Sequence, residues 1–171
     1  MFRDICEGLS HAHKNRVIHG NLRPSNVLIT ETGKTKVTDF GLKDHYSSDK
    51  NKINWYRPAG EPKSTSLDIF AVGVIFYQIL TGLEPNWSKG RLVLASQFRQ
   101  LPIKIQMIIL RMTSIDPADR YDNLTMIIDK INSVLEQKES REDIKEKMPL
   151  RTILIILFFL AAGIAVFFLT R

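Results

Sequence analysis

The sequence ends in a long stretch of apolar residues. From Ile153 to Leu169 it reads ILIILFFLAAGIAVFFL, seventeen residues without a charge, and Thr152 and Thr170 extend the run to residues 152–170. A helix rises about 1.5 Å per residue, so this run covers roughly 28 Å, close to the thickness of a membrane's hydrocarbon layer. A buried core helix is the alternative, but a core helix rarely lacks a polar side. The sequence therefore predicts one transmembrane helix.

The charges around this run indicate its orientation. Lys145, Lys147 and Arg151 precede it, whereas only Arg171 follows it. Positive charge favours the cytoplasmic side, and the chain's first residues show no secretory signal pattern. We therefore expect a single-pass membrane protein with a C-terminal tail anchor and a cytosolic domain. Residues 138–151 alternate charges of both signs and predict a juxtamembrane linker, either a solvated helix or an extended connection.

Charge and cysteine content exclude two classes of protein. The net charge of +6 comes from 24 basic and 18 acidic residues, with no run of five like charges that would bind nucleic acid. The single cysteine, Cys6, excludes an intramolecular disulfide and fits a reducing compartment. Cys6 follows Phe2 and Ile5 and precedes Leu9 at helical spacing, which predicts a small buried apolar residue.

Residues 1–137 read as one mostly helical domain. The central element is a nearly continuous apolar run at Leu67–Leu80, too short to span a bilayer, which predicts a buried helix ending at Gly82. Residues 42–66 are polar and read as a long functional loop. Around these the patterns predict helices at 2–13, 101–113 and 122–137, and short strands at Val17–His19, Val27–Thr30 and Lys36–Thr38, the last two forming a hairpin.

Two motifs are specific enough to suggest chemistry. VIHGNLRPSNVL at 17–28 and VTDFGL at 37–42 resemble the catalytic loop and the metal-binding loop of protein kinases. The eighteen positions from Asn21 to Asp39 reproduce the spacing of that family. The residues that match its motifs are His19, Leu22, Pro24, Asn26, Asp39, Phe40 and Gly41.

The resemblance continues towards residue 135 in the order of the family. Asp68 opens a helix similar to the buried kinase helix whose first Asp holds the catalytic loop in shape. DPADRY at 116–121 resembles a late turn whose Arg, here Arg120, pairs with the acidic end of the activation segment, here Glu61. YRPAGEP contains one residue more than the family's YRAPE. The resemblance implies a mainly α fold of the α+β kind, a kinase-like C-terminal lobe with a short β-hairpin.

The catalytic positions depart from the family. Asn21 stands in place of the catalytic Asp, and its amide cannot accept a proton near neutral pH. Arg23 replaces the loop Lys, with a different reach and geometry. Asn26 and Asp39 would bind Mg²⁺ and ATP in the family, or else they only shape the loops. ATP and Mg²⁺ are thus the implied cofactors, but the chain starts beyond the family's first lobe and contains no GxGxxG, so we expect neither to bind tightly.

These substitutions favour a binding role over catalysis, although enzymatic activity stays open. The expected function is that of a membrane-anchored pseudokinase that binds a protein partner, either a kinase, a substrate or a second copy of itself. The alternative is a truncated or split portion of a transmembrane Ser/Thr protein kinase that transfers phosphate from ATP to protein. A decayed gene without a stable product is a third possibility. His11, His13 and His45 have no acidic or cysteine neighbours at ligand spacing and are interpreted as surface histidines.

Overall fold

The computed structural model describes the backbone of residues 1–42 and 55–147, and side chains as far as residue 137. The chain is divided into two compact units, Met1–Asn132 and Ser133–Arg171. Every candidate site residue named above lies in the first. The elements in chain order are α1 (Phe2–Lys14), β1 (Val27–Ile29), β2 (Thr35–Val37), α2 (Thr65–Thr81), β3 (Trp87–Ser88), β4 (Arg91–Leu92), α3 (Ser96–Arg99), α4 (Ile103–Met112) and α5 (Leu124–Lys147).

Helix α1 forms where the 3.6-residue period predicted it. Its inward face consists of Ile5, Cys6 and Leu9, all fully buried. Burial disfavours the charged thiolate and raises the pKa of Cys6 to about 12. The prediction that Cys6 is a small buried apolar residue is therefore confirmed.

The first hairpin also forms as predicted. Strands β1 and β2 pair antiparallel, with Val27 opposite Val37 and Ile29 opposite Thr35. The amide of Thr35 donates to the Asp4 carboxylate of α1 at 2.8 Å, which ties the hairpin to the helix. This bond stabilises the ionised carboxylate, so it lowers the pKa of Asp4.

The predicted strand at Val17–His19 is wrong. These residues carry no ladder hydrogen bonds, because the amide of His19 donates to the carboxylate of Asp68 instead of to a neighbouring strand. A β-branched run next to turn residues looks like a strand in sequence, but a strand needs a pairing partner. The segment is an extended loop anchored by a side chain.

Helix α2 is the central buried helix that the sequence predicted. The Ser64 hydroxyl accepts a hydrogen bond from the amide of Leu67 at 3.0 Å and caps its start, and Gly82, with φ of 70°, ends it. Residues 67–77 are all buried. A Cβ atom at Gly73 would lie 2.7 Å from Cβ of Met112, so the absence of a side chain there lets α2 and α4 approach closely. Phe76 and Tyr77 pack with Phe98 of α3 and Ile109 of α4 to form a core cluster.

A second hairpin was not predicted. Strands β3 and β4 pair Trp87 with Leu92 and Ser88 with Arg91. Lys89 and Gly90, with φ of 49° and 73°, form the two-residue turn between them. Positive φ at both positions matches the right-handed twist of a tight hairpin. Strands of two residues are too short to show an alternating pattern, so periodicity cannot predict them.

Helix α5 runs unbroken from Leu124 to Lys147, through the predicted boundary between residues 137 and 138. Within 1–42 and 55–147, no helix combines the length and apolar character needed to cross a bilayer. The predicted transmembrane helix at 152–170 lies outside the described residues, as does His45.

Candidate functional site

The loop that holds His19, Gly20 and Asn21 is fixed by one buried carboxylate. Asp68, in the first turn of α2, accepts hydrogen bonds from the amides of His19 at 2.9 Å and Gly20 at 2.7 Å. Gly20 has φ of 72°, and a Cβ atom there would lie 2.7 Å from Cδ of Lys63. A side chain at this position would meet both backbone strain and the Lys63 stem. The loop therefore has one backbone path, set by Asp68.

His13 corrects the prediction of a surface histidine. Its Nε2 atom lies 2.8 Å from Oδ2 of Asp68, and its side chain is only 11% exposed. The two residues are far apart in sequence, and the packing of α1 against α2 brings them together. A search for neighbours at ligand spacing could not find this pair, because the partner lies on another helix.

His19 connects this loop to the segment after β2. Its Nε2 donates to the carbonyl oxygen of Thr38 at 2.9 Å, and its ring lies against the ring of Phe40 at 4.9 Å between centroids. The amide of Thr38 donates a second hydrogen bond, to the carbonyl oxygen of Asn26 at 2.9 Å. Gly41, next in the chain, has φ of 72° and turns the backbone after Phe40. The two motifs are thus joined by contacts between their shape-determining residues.

A buried ion pair links the segment before α2 to the segment after α4. Arg120 donates to both carboxylate oxygens of Glu61, at 2.6 and 2.7 Å, so the pair is bidentate. The same guanidinium donates to the carbonyls of Ser66 and Ser114, at 2.9 and 2.8 Å, and lies over the ring of Phe70. Arg120 is 0% exposed in its side chain and Glu61 is 7% exposed. The extra residue in YRPAGEP does not prevent this pairing.

Asn21 occupies the position where proton acceptance would be needed. Its Oδ1 atom accepts a hydrogen bond from Nε of Arg23 at 3.0 Å. Both side chains are half-buried. An amide oxygen can orient a hydroxyl but cannot take its proton at neutral pH, so this position does not supply a general base.

Asn26 and Asp39 lie side by side. Nδ2 of Asn26 donates to Oδ2 of Asp39 at 2.8 Å, while Oδ1 of Asn26 is buried and has no hydrogen-bond partner among the described residues. Asp39 is exposed and has φ of 62°, an uncommon backbone conformation for a residue other than glycine. An unpartnered amide oxygen beside a carboxylate fits Mg²⁺, which takes one or two protein oxygens together with substrate phosphates.

These two residues would hold such an ion, which would neutralise charge on phosphate oxygens. The described part of the chain contains no group of three or more His, Cys, Asp or Glu side chains arranged for a metal. A magnesium ion there would be held by the oxygens of Asn26 and Asp39 together with substrate phosphate oxygens.

The comparison with protein families decides the assignment. Residues 1–147 match the family described as the protein kinase domain. The chain belongs to the protein kinase family.

Serine/threonine-protein kinases of bacteria and animals are similar to this kinase chain. PrkC of Bacillus subtilis is 28% identical over 145 residues, which cover 71% of this chain and 22% of PrkC. PknD of Chlamydia pneumoniae is 26% identical over 175 residues, which cover 80% of this chain and 19% of PknD. The calcium/calmodulin-dependent protein kinase type II alpha chain of Drosophila melanogaster is 34% identical over 112 residues, which cover 57% of this chain and 21% of that protein. The chain thus spans about a fifth of the length of these relatives.

Sequence reasoning missed three residues that support the kinase loops. His13 binds Asp68, the Lys63 stem covers Gly20, and the Arg57 guanidinium donates to the carbonyl of Glu61 at 2.6 and 3.0 Å. Only Arg57, four residues before Glu61, lies close enough in sequence to have suggested a local contact. The other two contacts depend on how distant segments pack.

Proposed function

We propose that this kinase chain is a membrane-anchored pseudokinase that acts by binding a protein partner. The observation that carries the proposal is Asn21, which lies in a well-anchored loop but cannot act as the proton acceptor. General-base assistance contributes about 10²- to 10⁴-fold to such reactions. A loop that keeps its support and has lost this group is suited to recognition more than to phosphoryl transfer.

The supporting network favours a defined binding surface. Asp68 and Arg120 are buried, and each makes several short hydrogen bonds to loop backbone or to a charged partner. Buried polar groups are stable only when satisfied, and a satisfied network holds one loop geometry. A fixed loop surface loses little conformational entropy on binding, which favours association with a partner protein.

Membrane anchoring is the second part of the proposal. It is supported by the apolar run at 152–170 and by the basic residues that precede it, Lys145, Lys147 and Arg151. The domain would lie on the cytosolic side. Protease treatment of sealed membrane vesicles tests this: we expect the domain to be digested from the cytosolic face and the protein to stay in the membrane after carbonate washing.

The catalytic part is tested with protein isolated from its own host membranes, so that any longer chain or partner is retained. We expect no phosphate transfer from radiolabelled ATP, with Mg²⁺, above the level of an Asp39→Ala variant. Melting curves of both proteins exclude unfolding as the cause. Transfer that the wild type shows and Asp39→Ala lacks would overturn the pseudokinase proposal.

The Asn26 and Asp39 geometry favours a second candidate, a portion of a transmembrane Ser/Thr kinase that uses ATP and Mg²⁺. Phosphoryl transfer depends mainly on positioning and electrostatics, and a fitting pair of magnesium ligands remains. In this case Asn21→Asp would increase transfer about 10²-fold or more. No gain in the Asn21→Asp variant would favour the binding role.

A further inference from the structure

A pocket with aromatic walls is lined by no residue of the catalytic loop. It encloses about 390 Å³ between the chain before Glu61, helix α2 and the β3–β4 hairpin. This volume lies within the range of sites that bind small molecules or single large side chains. We call it the tryptophan pocket; the residues used below are Trp55, Arg57, Phe70, Trp87, Gly90 and Ile115.

The walls of the tryptophan pocket are preformed. Phe70 is buried, and its ring stacks against Trp87 with 5.5 Å between centroids. The tight turn at Lys89 and Gly90 fixes the hairpin that carries Trp87. A Cβ atom at Gly90 would lie 3.7 Å from Cγ1 of Ile115, so the hairpin turn lies close to this side chain. Ile115 itself is 53% exposed, which places an apolar surface at the rim.

One positive charge lies in this apolar lining. Arg57 donates through Nε and one terminal nitrogen to the carbonyl oxygen of Glu61, at 3.0 and 2.6 Å, which fixes the guanidinium plane. The carboxylate of Glu61 is bound by Arg120 instead. Within the described part of the chain, no carboxylate forms an ion pair with Arg57. A ligand that brings a carboxylate would complement this charge.

We infer that the tryptophan pocket binds a partner protein through a large apolar side chain with an acidic residue next to it. Aromatic and aliphatic anchors in preformed pockets dominate the energetics of many interfaces, and rings favour stacked or edge contacts with other rings. The Arg57 charge selects a carboxylate beside the anchor. This inference rests on the proposed binding role and gives the chemistry of the partner segment.

The sequence supplies a reporter specific to this pocket. The chain contains two tryptophans, Trp55 and Trp87, and both line the pocket. Tryptophan fluorescence of the full chain, reconstituted in phosphatidylcholine nanodiscs, therefore follows the pocket without added label. The probe is a peptide with the sequence acetyl-Gly-Ser-Phe-Asp-Gly-Ser-amide, compared with peptides in which Asn replaces Asp or Ala replaces Phe.

We expect a saturable fluorescence change with the Phe-Asp peptide, at least about fivefold weaker affinity for the Phe-Asn peptide, and no change with the Ala-Asp peptide. Ile115→Ala should weaken binding by about threefold or more, because it removes apolar rim surface. Ile103→Ala is the matched control, since Ile103 is 66% exposed on α4 and does not line the pocket. It should leave the affinity unchanged.

Several results would overturn the inference. They are no binding at millimolar peptide, equal affinity for the Asp and Asn peptides, or equal losses in Ile115→Ala and Ile103→Ala. Measuring phosphate transfer on the same preparation separates this failure from that of the proposed function. If a preparation neither binds the peptide nor transfers phosphate, only the inference about the tryptophan pocket is refuted. If it transfers phosphate, the proposed binding role is refuted.

Discussion

Two sets of residues, one that supports the kinase loops and one that lies in them, differ in burial and in hydrogen bonding. The supporting set is Asp68, His13, Glu61 and Arg120, whose polar atoms are buried or nearly so and make short bonds to one another or to loop backbone. The catalytic set is Asn21, Arg23, Asn26 and Asp39, which are half-buried or exposed; Nε of Arg23 donates to Asn21, and Nδ2 of Asn26 donates to Asp39. The supporting set keeps the shape of the loops, and the catalytic set has the chemistry.

This difference explains how a kinase chain can lose its base and keep its fold. Removing one partner from a buried, charged network leaves the other unsatisfied at a cost of several kcal/mol. Exchanging a half-exposed polar residue usually changes stability by less than about 0.5 kcal/mol. Substitution at position 21 should therefore change the free energy of unfolding little, whereas substitution at position 68 or 120 should lower it substantially.

The largest effect is expected from Arg120→Ala. This change leaves the buried Glu61 carboxylate without its bidentate partner, so the free energy of unfolding should fall by about 3 to 5 kcal/mol. Urea unfolding of the full chain, followed by tryptophan fluorescence, measures it. Arg3→Ala is the matched control, because its ion pair with Glu7 is exposed to solvent and screened, so its loss should leave the free energy of unfolding nearly unchanged. Equal losses in the two variants would contradict the comparison.

A somewhat smaller effect is expected from Asp68→Asn. The amide has one acceptor oxygen where the carboxylate has two, so one of the His19 and Gly20 amides would face an NH₂ group. One unsatisfied buried donor costs about 1 to 3 kcal/mol. Hydrogen exchange at these two amides should also accelerate. The control is Asp122→Asn, an exposed carboxylate, and protection of the two amides in Asp68→Asn would disprove the anchoring role.

Much of the supporting set could be predicted from the sequence. The helical period predicted α1, the apolar run at Leu67–Leu80 predicted α2, and the resemblance to the kinase motifs indicated Asp68, Glu61 and Arg120. These signals are readable because a buried helix and a motif of fixed spacing are local patterns in the chain.

The rest depends on packing between distant segments. His13 carries the same local pattern as an exposed histidine, and only the meeting of α1 with α2 gives it Asp68 as a partner. The strand predicted at Val17–His19 failed for a related reason, because β propensity expresses a fit to a pleated surface that this segment does not have. The tryptophan pocket is lined by residues from four separate segments of the chain, and no single segment predicts it.

The buried thiol of Cys6 should make the free energy of unfolding depend on pH, and this tests how tightly α1 packs against the core. Burial raises the pKa of the thiol from 9.0 to about 12, so the unfolded chain loses the proton at lower pH than the folded one. The contribution of the protonated thiol to the free energy of unfolding is fully present below pH 9 and is lost as pH rises from 9 towards 12. Between pH 8 and 10.5 the wild type should lose about 2 kcal/mol more than Cys6→Ala. Parallel pH profiles for the two proteins would mean that the thiol is accessible and that α1 packs less tightly against the core.

The smallest effect is expected from Asn21→Ala. Oδ1 of Asn21 accepts the 3.0 Å hydrogen bond from Arg23, another member of the catalytic set, so the free energy of unfolding should change by about 0.5 kcal/mol or less. Leu22→Ala, at the neighbouring position, is the control: Leu22 is 1% exposed and its truncation should cost about 2 to 5 kcal/mol. A loss above about 1.5 kcal/mol in Asn21→Ala would place Asn21 in the supporting set. The Asn at the base position would then have a structural role of its own, and the identity of the residue at this position would be coupled to folding instead of independent of it.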